Sequence, residues 1–223
     1  MIKAFTIRKP GDELSERLST ECVESAAKFG ITVEKFDGVY TNHDDVLDAK
    51  SIKCYPKMKE EKKTKGFKGC FLSHYLLWEK CIELNEPIMI FEHDALMIRP
   101  LPENILELFT HHCILDYAVH YPNYEEIISQ DGPIIVKEYP QITNEKIGYC
   151  KINQTHVRGS HAGIITPLGA KTIIDSIKQY GHLASDATIN QYYTSYITID
   201  PLIARCHPFF SDSKNRQLYS HTK

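Results

Sequence analysis

An α/β fold, in which a sheet of buried strands is flanked by helices, is what this 223-residue chain predicts. Three observations predict it. The opening alternates a strand, a helix and a strand; a short apolar run, Pro87-Ile-Met-Ile-Phe91, follows the amphipathic stretch from Gly69 to Glu83; and a second strand-then-helix pattern begins at His161. A run apolar at every position suits a strand covered on both faces, as in α/β sheets, whereas a half-exposed strand alternates. At this length, with 42% hydrophobic residues, the chain can bury one substantial core, and a single domain over 1–223 is expected.

The elements follow in order. Ile2 to Ile7 reads as the first strand, and Glu13 to Phe29 as a helix with Leu14, Leu18, Cys22 and Ala26 on one face, ended by Gly30. Ile31 to Phe36 is β-branched and strand-like, and Asp37-Gly38 forms the turn after it, which makes a β-α-β unit with parallel strands. Gly69 to Glu83 is the clearest helix, with Phe71, Tyr75, Trp78 and Ile82 at helical spacing and Trp78 in the core. Leu101 to Phe109 reads as a short helix begun by Pro102, and Cys113 to His120 as a strand. The Pro-, Tyr- and Asn-rich segment 121–155 reads as a long loop with a hairpin that covers a site. His161 to Thr166 is a strand, Gly169 to Tyr180 a helix with Pro167 at its start and Gly181 at its stop, and Ala187 to Tyr193 a further helix. Ile197 to Ile199 and Ile203 to Ala204 are short strands before a polar tail from His207.

Composition narrows the function classes. A formal charge of −3 argues against a generally basic, backbone-tracking nucleic-acid binder. The seven cysteines are odd in number and widely spaced, with no CxxC pair, which indicates reduced thiols in a cytoplasmic setting. The first residues are too short an apolar run for a signal sequence, and no stretch approaches a membrane span.

Chemistry is expected where the run ending at Phe91 meets Glu92-His93-Asp94. Ligands collect at the carboxyl ends of strands in open α/β sheets, and two carboxylates with an imidazole suit a cation or a sugar. The alternative is an acidic strand end that only solubilises a turn. Ser73 and His74 lie in the first turns of the Gly69 helix, whose amides favour anions, although His74 also suits a buried, satisfied position. Tyr55 to Lys68, with six lysines against two glutamates, reads as a solvated face or as a patch for a phosphorylated acceptor.

The run GCFLSHYLLWEKCIELNEPIMIFEHDA resembles the central block of glycosyltransferase family 25, the lipopolysaccharide and collagen β-galactosyltransferase group. That block has a Gly-Cys-x-x-Ser-His helix, an apolar strand and a Glu-Asp-Asp motif. Thr6-Ile-Arg8 with Arg17, ending at Phe36-Asp37-Gly38, resembles its first β-α-β segment, and Gly159 to Lys171 with Asp186 resembles its later Gly-Ala-Lys block and downstream aspartate.

The resemblance implies a GT-A-like, Rossmann-type mixed sheet, with a nucleotide-sugar donor half over 1–110 and an acceptor half over 111–223. It implies metal-dependent, inverting transfer of a hexose, from a UDP-sugar first of all, to a hydroxyl of a saccharide such as lipopolysaccharide core. Asp94 and Glu92 are the implied metal ligands, joined by His207, for which a structural turn at His207-Pro208 is the alternative. His93 replaces the family's middle aspartate, which ranks manganese above magnesium. Thr6, Arg8, Asp37, Gly38, Ser73, His74, Glu92 and His93 are the implied donor contacts. Asp186 is the implied base, the alternative being a helix N-cap. Phe67, beside Lys68, stands where the family has an acidic residue, implying altered donor or acceptor preference. Two other outcomes stay open: a phage-type DNA glycosyltransferase acting on a hydroxymethylated base, with Lys57 to Lys68 on the phosphates, and a non-catalytic relative serving as a binding module. The enzyme is expected to be cytoplasmic, with a peripheral membrane association where its acceptor is lipid-borne.

Overall fold

The computed structural model describes residues 2–56, 65–117, 123–143 and 161–208. Its centre is a seven-stranded mixed sheet: β1 (Lys3–Arg8), β2 (Val33–Asp37), β3 (Ile88–Glu92), β5 (His112–Ile114), β6 (Ile135–Tyr139), β7 (Ala162–Ile165) and β8 (Tyr196–Asp200), ordered β2-β1-β3-β7-β5-β8-β6. β1 pairs in parallel with β2 and β3, as the β-α-β reading expects. β7 then runs antiparallel to both β3 and β5, so the sheet is mixed at its centre. A separate ribbon pairs β4 (Ala95–Met97) with β9 (Ala204–Cys206).

β3 alternates between two apolar layers. Ile88 and Ile90 face a core shared with α3 (Lys65–Leu84) and α5 (Pro167–Tyr180), which contribute Phe71, Tyr75, Trp78, Ile173 and Ile177. Met89 and Phe91 face the other core, with Cys22 and Ala26 of α1 (Glu13–Ala27). Helices on both faces explain why the strand is apolar at every position.

The helices start and stop on recognisable chemistry. Asp12 caps α1 by accepting from the Ser15 amide at 2.9 Å, and Thr166 caps α5 by accepting from the Gly169 amide at 3.0 Å, with Pro167 in the first turn. Gly181, at φ +95°, ends α5. Two further glycines act through their missing side chain. A Cβ on Gly69 would lie 2.5 Å from the Val39 carbonyl oxygen, and one on Gly169 would lie 2.2 Å from that of His111. Both helices are thus docked backbone to backbone.

Several expectations are corrected. The helix expected over Leu101 to Phe109 is only a 3-10 turn at Ile105–Glu107, and the strand from Cys113 stops at Ile114. The helix expected over Ala187 to Tyr193 is the short α6 (Ser185–Thr188), because Asn190 draws the chain into a turn: its side chain accepts from the Tyr192 amide at 2.8 Å and donates to the Ala187 carbonyl. Within the expected covering loop, residues 123–143 instead hold α4 (Tyr124–Ser129) and the edge strand β6, while 144–155 lie outside the described residues. Arg99 clamps α4 to the ribbon by donating to the carbonyls of Leu202 and Ile128. α2 (His43–Ala49) and β4 have no counterpart among the expected elements.

Candidate functional site

Alternation along β3 turns Glu92 toward the α3 layer. Cys70 and His74, one helical turn apart, share the face of α3 that meets it. Glu92 Oε1 lies 3.2 Å from His74 Nε2 and accepts from the Cys70 thiol at 3.4 Å. Burial resists ionisation of Glu92, but the His74 hydrogen bond and the nearby charge of His161 outweigh it and hold the carboxyl at about 2. The Cys70 sulfur also lies 3.0 Å from the Ser185 hydroxyl, which brings the first turn of α6 to this end of β3. Asp186 is the next residue. Its Oδ1 accepts from the Ala187 amide at 2.8 Å, and the N-cap of α6 is Ala184, so Asp186 sits in the first turn rather than at the cap.

Asp94 lies two residues on, in the turn itself, in a different environment. Its ligand atoms cluster with those of His161 and Cys206, all within 4.8 Å of one another. The pairing of Phe91 with Ala162 continues as the Glu92 amide donating to the His161 carbonyl at 2.8 Å, which fixes His161 beside the Glu-His-Asp turn. The β4–β9 ribbon pairs Ala95 with Cys206, which fixes the thiol on the other side. Behind His161 lies Asp116, wholly buried, whose Oδ2 is 3.3 Å from His161 Nδ1 without hydrogen-bond alignment. The Tyr124 hydroxyl faces Asp116 at 3.4 Å and accepts from the Cys206 amide at 2.7 Å. Burial raises the Asp116 carboxyl above its ordinary value. Burial works against a charged His161, but Asp94 and Cys206 outweigh it and carry its titration well above the usual range.

The remaining predicted residues divide by position. Arg8, at the end of β1, bonds Asp37 at the end of β2 (2.7 Å) and both oxygens of Glu16 on α1 (2.7 and 2.8 Å). Gly38 is pinned beside them, its amide donating to the Arg8 carbonyl at 2.9 Å. Ser73 is fully buried and structural in its contacts: it accepts from the Val39 amide and donates to the Gly69 carbonyl, tying the exit of β2 to α3. Thr6 is fully buried on the Ala4 face of β1. His93 is half-buried in the turn between the two carboxylates. His207 is brought to Asp94 by its backbone amide, 2.6 Å from the Asp94 carbonyl, while its ring Nε2 lies 2.7 Å from Glu21 on α1. The structure therefore sets His161 and Cys206 against the Asp94 carboxylate, and His207 Nε2 against Glu21.

His161, Cys206 and Asp116 were not among the sequence candidates. His161 lies inside the later motif block, at a strand start, and only the antiparallel pairing of β7 with β3 reveals its neighbour. Of the lysine-rich segment, 57–64 lie outside the described residues, and Lys68 is ion-paired with Asp44. No described helix is long and apolar enough to cross a membrane. The six described cysteines form no disulfide.

The comparisons with known proteins agree with these motifs. Over 46 residues, 20% of this chain and 17% of the relative, the sequence is 48% identical to the lipooligosaccharide biosynthesis protein lic2B of Haemophilus influenzae. Over 35 residues, 15% of this chain and 12% of the relative, it is 54% identical to the lipooligosaccharide biosynthesis protein lex-1 of the same species. Both matches thus span less than a fifth of those relatives. The model of glycosyltransferase family 25 (LPS biosynthesis protein) matches residues 13–189, which takes in α1, the α3–β3 block with its carboxylates, and α5 and α6. With most of its length matched, the chain belongs to glycosyltransferase family 25.

Proposed function

We propose that this protein transfers a hexose, with inversion, from a nucleotide sugar, UDP-linked first of all, to a hydroxyl of a saccharide acceptor of the lipopolysaccharide-core type. The observation that carries this reading is the convergence at the end of β3: two carboxylates two residues apart, each beside a histidine and a cysteine, with Asp186 one residue from the Ser185–Cys70 contact. The family match over residues 13–189 supports the reaction class, and the relatives named for lipooligosaccharide biosynthesis support the acceptor class. The layout, a β-α-β opening with ligand groups at the strand ends, supports a GT-A-type arrangement with the donor over the first half of the chain.

The residues divide the work as follows. The Arg8–Asp37 pair and Gly38 mark the strand ends where the nucleotide is received, with Ser73 on the α3 side and Thr6 on the other face of β1. Glu92, held ionised by His74 and Cys70, accepts hydrogen bonds from sugar hydroxyls, with His93 at its side. Asp94 fits a divalent ion, because its Oδ1 is buried without a hydrogen-bond partner. Bound there, such an ion supplies charge compensation for the departing diphosphate. The imidazole beside it favours manganese or a softer ion over magnesium. Asp186 takes the acceptor proton as the acceptor oxygen bonds to the anomeric carbon and the anomeric carbon–phosphate oxygen bond breaks, with the electron pair leaving on the nucleoside diphosphate. The enzyme acts in the cytoplasm, peripherally to a membrane that carries its acceptor.

Incubating the purified protein with a panel of nucleotide sugars, divalent ions and core oligosaccharide, and measuring nucleoside diphosphate release with the mass of the acceptor, tests this. Acceptor mass should rise by one hexose with a single donor. No release with any donor, or full turnover by Asp94→Ala, overturns it.

A further inference from the structure

The donor set around Asp94 is unusual for a sugar transferase ion. A carboxylate, an imidazole and a thiol within 4.8 Å of one another suit a borderline-soft cation and match magnesium or calcium poorly. They come from three places, the turn after β3, the residue before β7 and the last residue of β9, so the fold rather than a local sequence motif assembles them. Two further observations point to a ligand. Asp94 Oδ1 is buried and unpartnered, a costly state for a carboxylate unless something binds it. Asp116, with no exposure, stands 3.3 Å behind His161 Nδ1 and is itself faced by the Tyr124 hydroxyl. A carboxylate on the Nδ1 side leaves the other ring nitrogen for an ion; here it acts on His161 by charge at 3.3 Å, out of hydrogen-bond line.

We propose that Asp94, His161 and Cys206 form a zinc-type site, with Asp116 as the positioning residue for His161. Three protein ligands leave a tetrahedral ion one position for a substrate or water oxygen, the pattern of catalytic rather than structural zinc. The thiol and the His161 imidazolium each give up one proton to solvent when the ion binds. The neighbouring Cys70–His74–Glu92 group is a different case, since both His74 and Cys70 engage the same Glu92 oxygen and Cys70 meets Ser185, whereas the Cys206 thiol reaches Asp94 Oδ2 at a long 3.9 Å and leaves Oδ1 unbonded. This inference rests on the reading of Asp94 as an ion ligand and narrows the ion.

The test uses cobalt(II) as the ion, added to the chelator-stripped full-length protein. Wild-type protein should develop a near-ultraviolet thiolate-to-cobalt absorption that saturates at one cobalt per chain and is displaced by zinc but not by equal manganese. Cys206→Ser should lose that absorption while its metal-free circular dichroism and melting midpoint match wild type, and Cys70→Ser should keep it. Asp116→Asn should retain the absorption with cobalt affinity lowered about 10–100-fold. Absence of the band in wild type, its survival in Cys206→Ser, or its loss in Cys70→Ser overturns the site. The transfer reading fails separately: a Cys206-dependent band in a protein that releases no nucleoside diphosphate sinks the reaction and leaves the site standing.

Discussion

Glu92 and Asp94 are separated by one residue, and their surroundings are alike in composition, since each carboxylate meets a histidine and a cysteine. Their bonding differs. Glu92 is at the last position of β3, where alternation aims it at α3, and its oxygen is engaged by His74 and Cys70 within the protein. Asp94 lies in the turn, where strand alternation no longer acts; the Cys206 thiol reaches its Oδ2 at 3.9 Å, while its buried Oδ1 is engaged by nothing in the described residues. The same residue types therefore make a closed polar network on one side of His93 and an incomplete one on the other. A closed network stiffens a wall, whereas an incomplete one is where a cation is worth binding.

Substitutions should separate these two carboxylates. Asp94→Ala should lower turnover by about 10²–10³-fold, the scale of losing one electrostatic stabiliser of a leaving group, beside a smaller stability loss from the His161 charge and the Cys206 thiol it leaves without their carboxylate. Melting curves beside kinetics check this. Asp186→Asn should lower kcat by about 10²–10⁴-fold with donor KM unchanged, as expected for a base acting only in the transition state, and steady-state kinetics check it.

On the Glu92 side the effects should fall on stability. Gly69→Ala forces a Cβ to within 2.5 Å of the Val39 carbonyl and should shift α3, and with it Cys70 and His74, at a cost of about 1–3 kcal/mol measured by denaturant unfolding. Glu92→Gln removes a charge-assisted buried bond and should cost about 1–3 kcal/mol near neutral pH. Its pH signature is specific. Glu92 titrates at about 2 folded against 4.5 unfolded, so the unfolded chain binds the proton first; the stabilisation is complete above 4.5 and is lost as pH falls toward 2. The variant should lack that limb in melting midpoints measured against pH.

The smallest effect at neutral pH belongs to His112, which the charge of His74 also reaches. Burial lowers its titration to about 3 from 6.5, and its Nδ1 has no hydrogen-bond partner. The unfolded chain again binds the proton first, so stability is full above 6.5 and declines as pH falls toward 3. His112→Leu should flatten this upper part of the acid limb and leave the Glu92 part below 4.5.

The sequence by itself determined the β-α-β opening, the α3 helix with its buried Trp78, the apolar β3 and the caps of α5. Each rests on a periodicity or a turn residue within a few positions, and neighbours along the chain enforce it. The segment 101–109 and the residues after Asp186 read as helices because their local pattern is helical, yet the 3-10 turn and Asn190, whose side chain bonds Tyr192 and Ala187 within three residues, cut them short. The tertiary structure alone decided which residues share the site. His161 reaches the turn through antiparallel pairing of β7 with β3, and Cys206 through pairing of β9 with β4, across separations of 67 and 112 residues from Asp94. Strand pairing is specified by burial and hydrogen bonding between distant segments, so a carboxylate's partners are settled only once the sheet has formed.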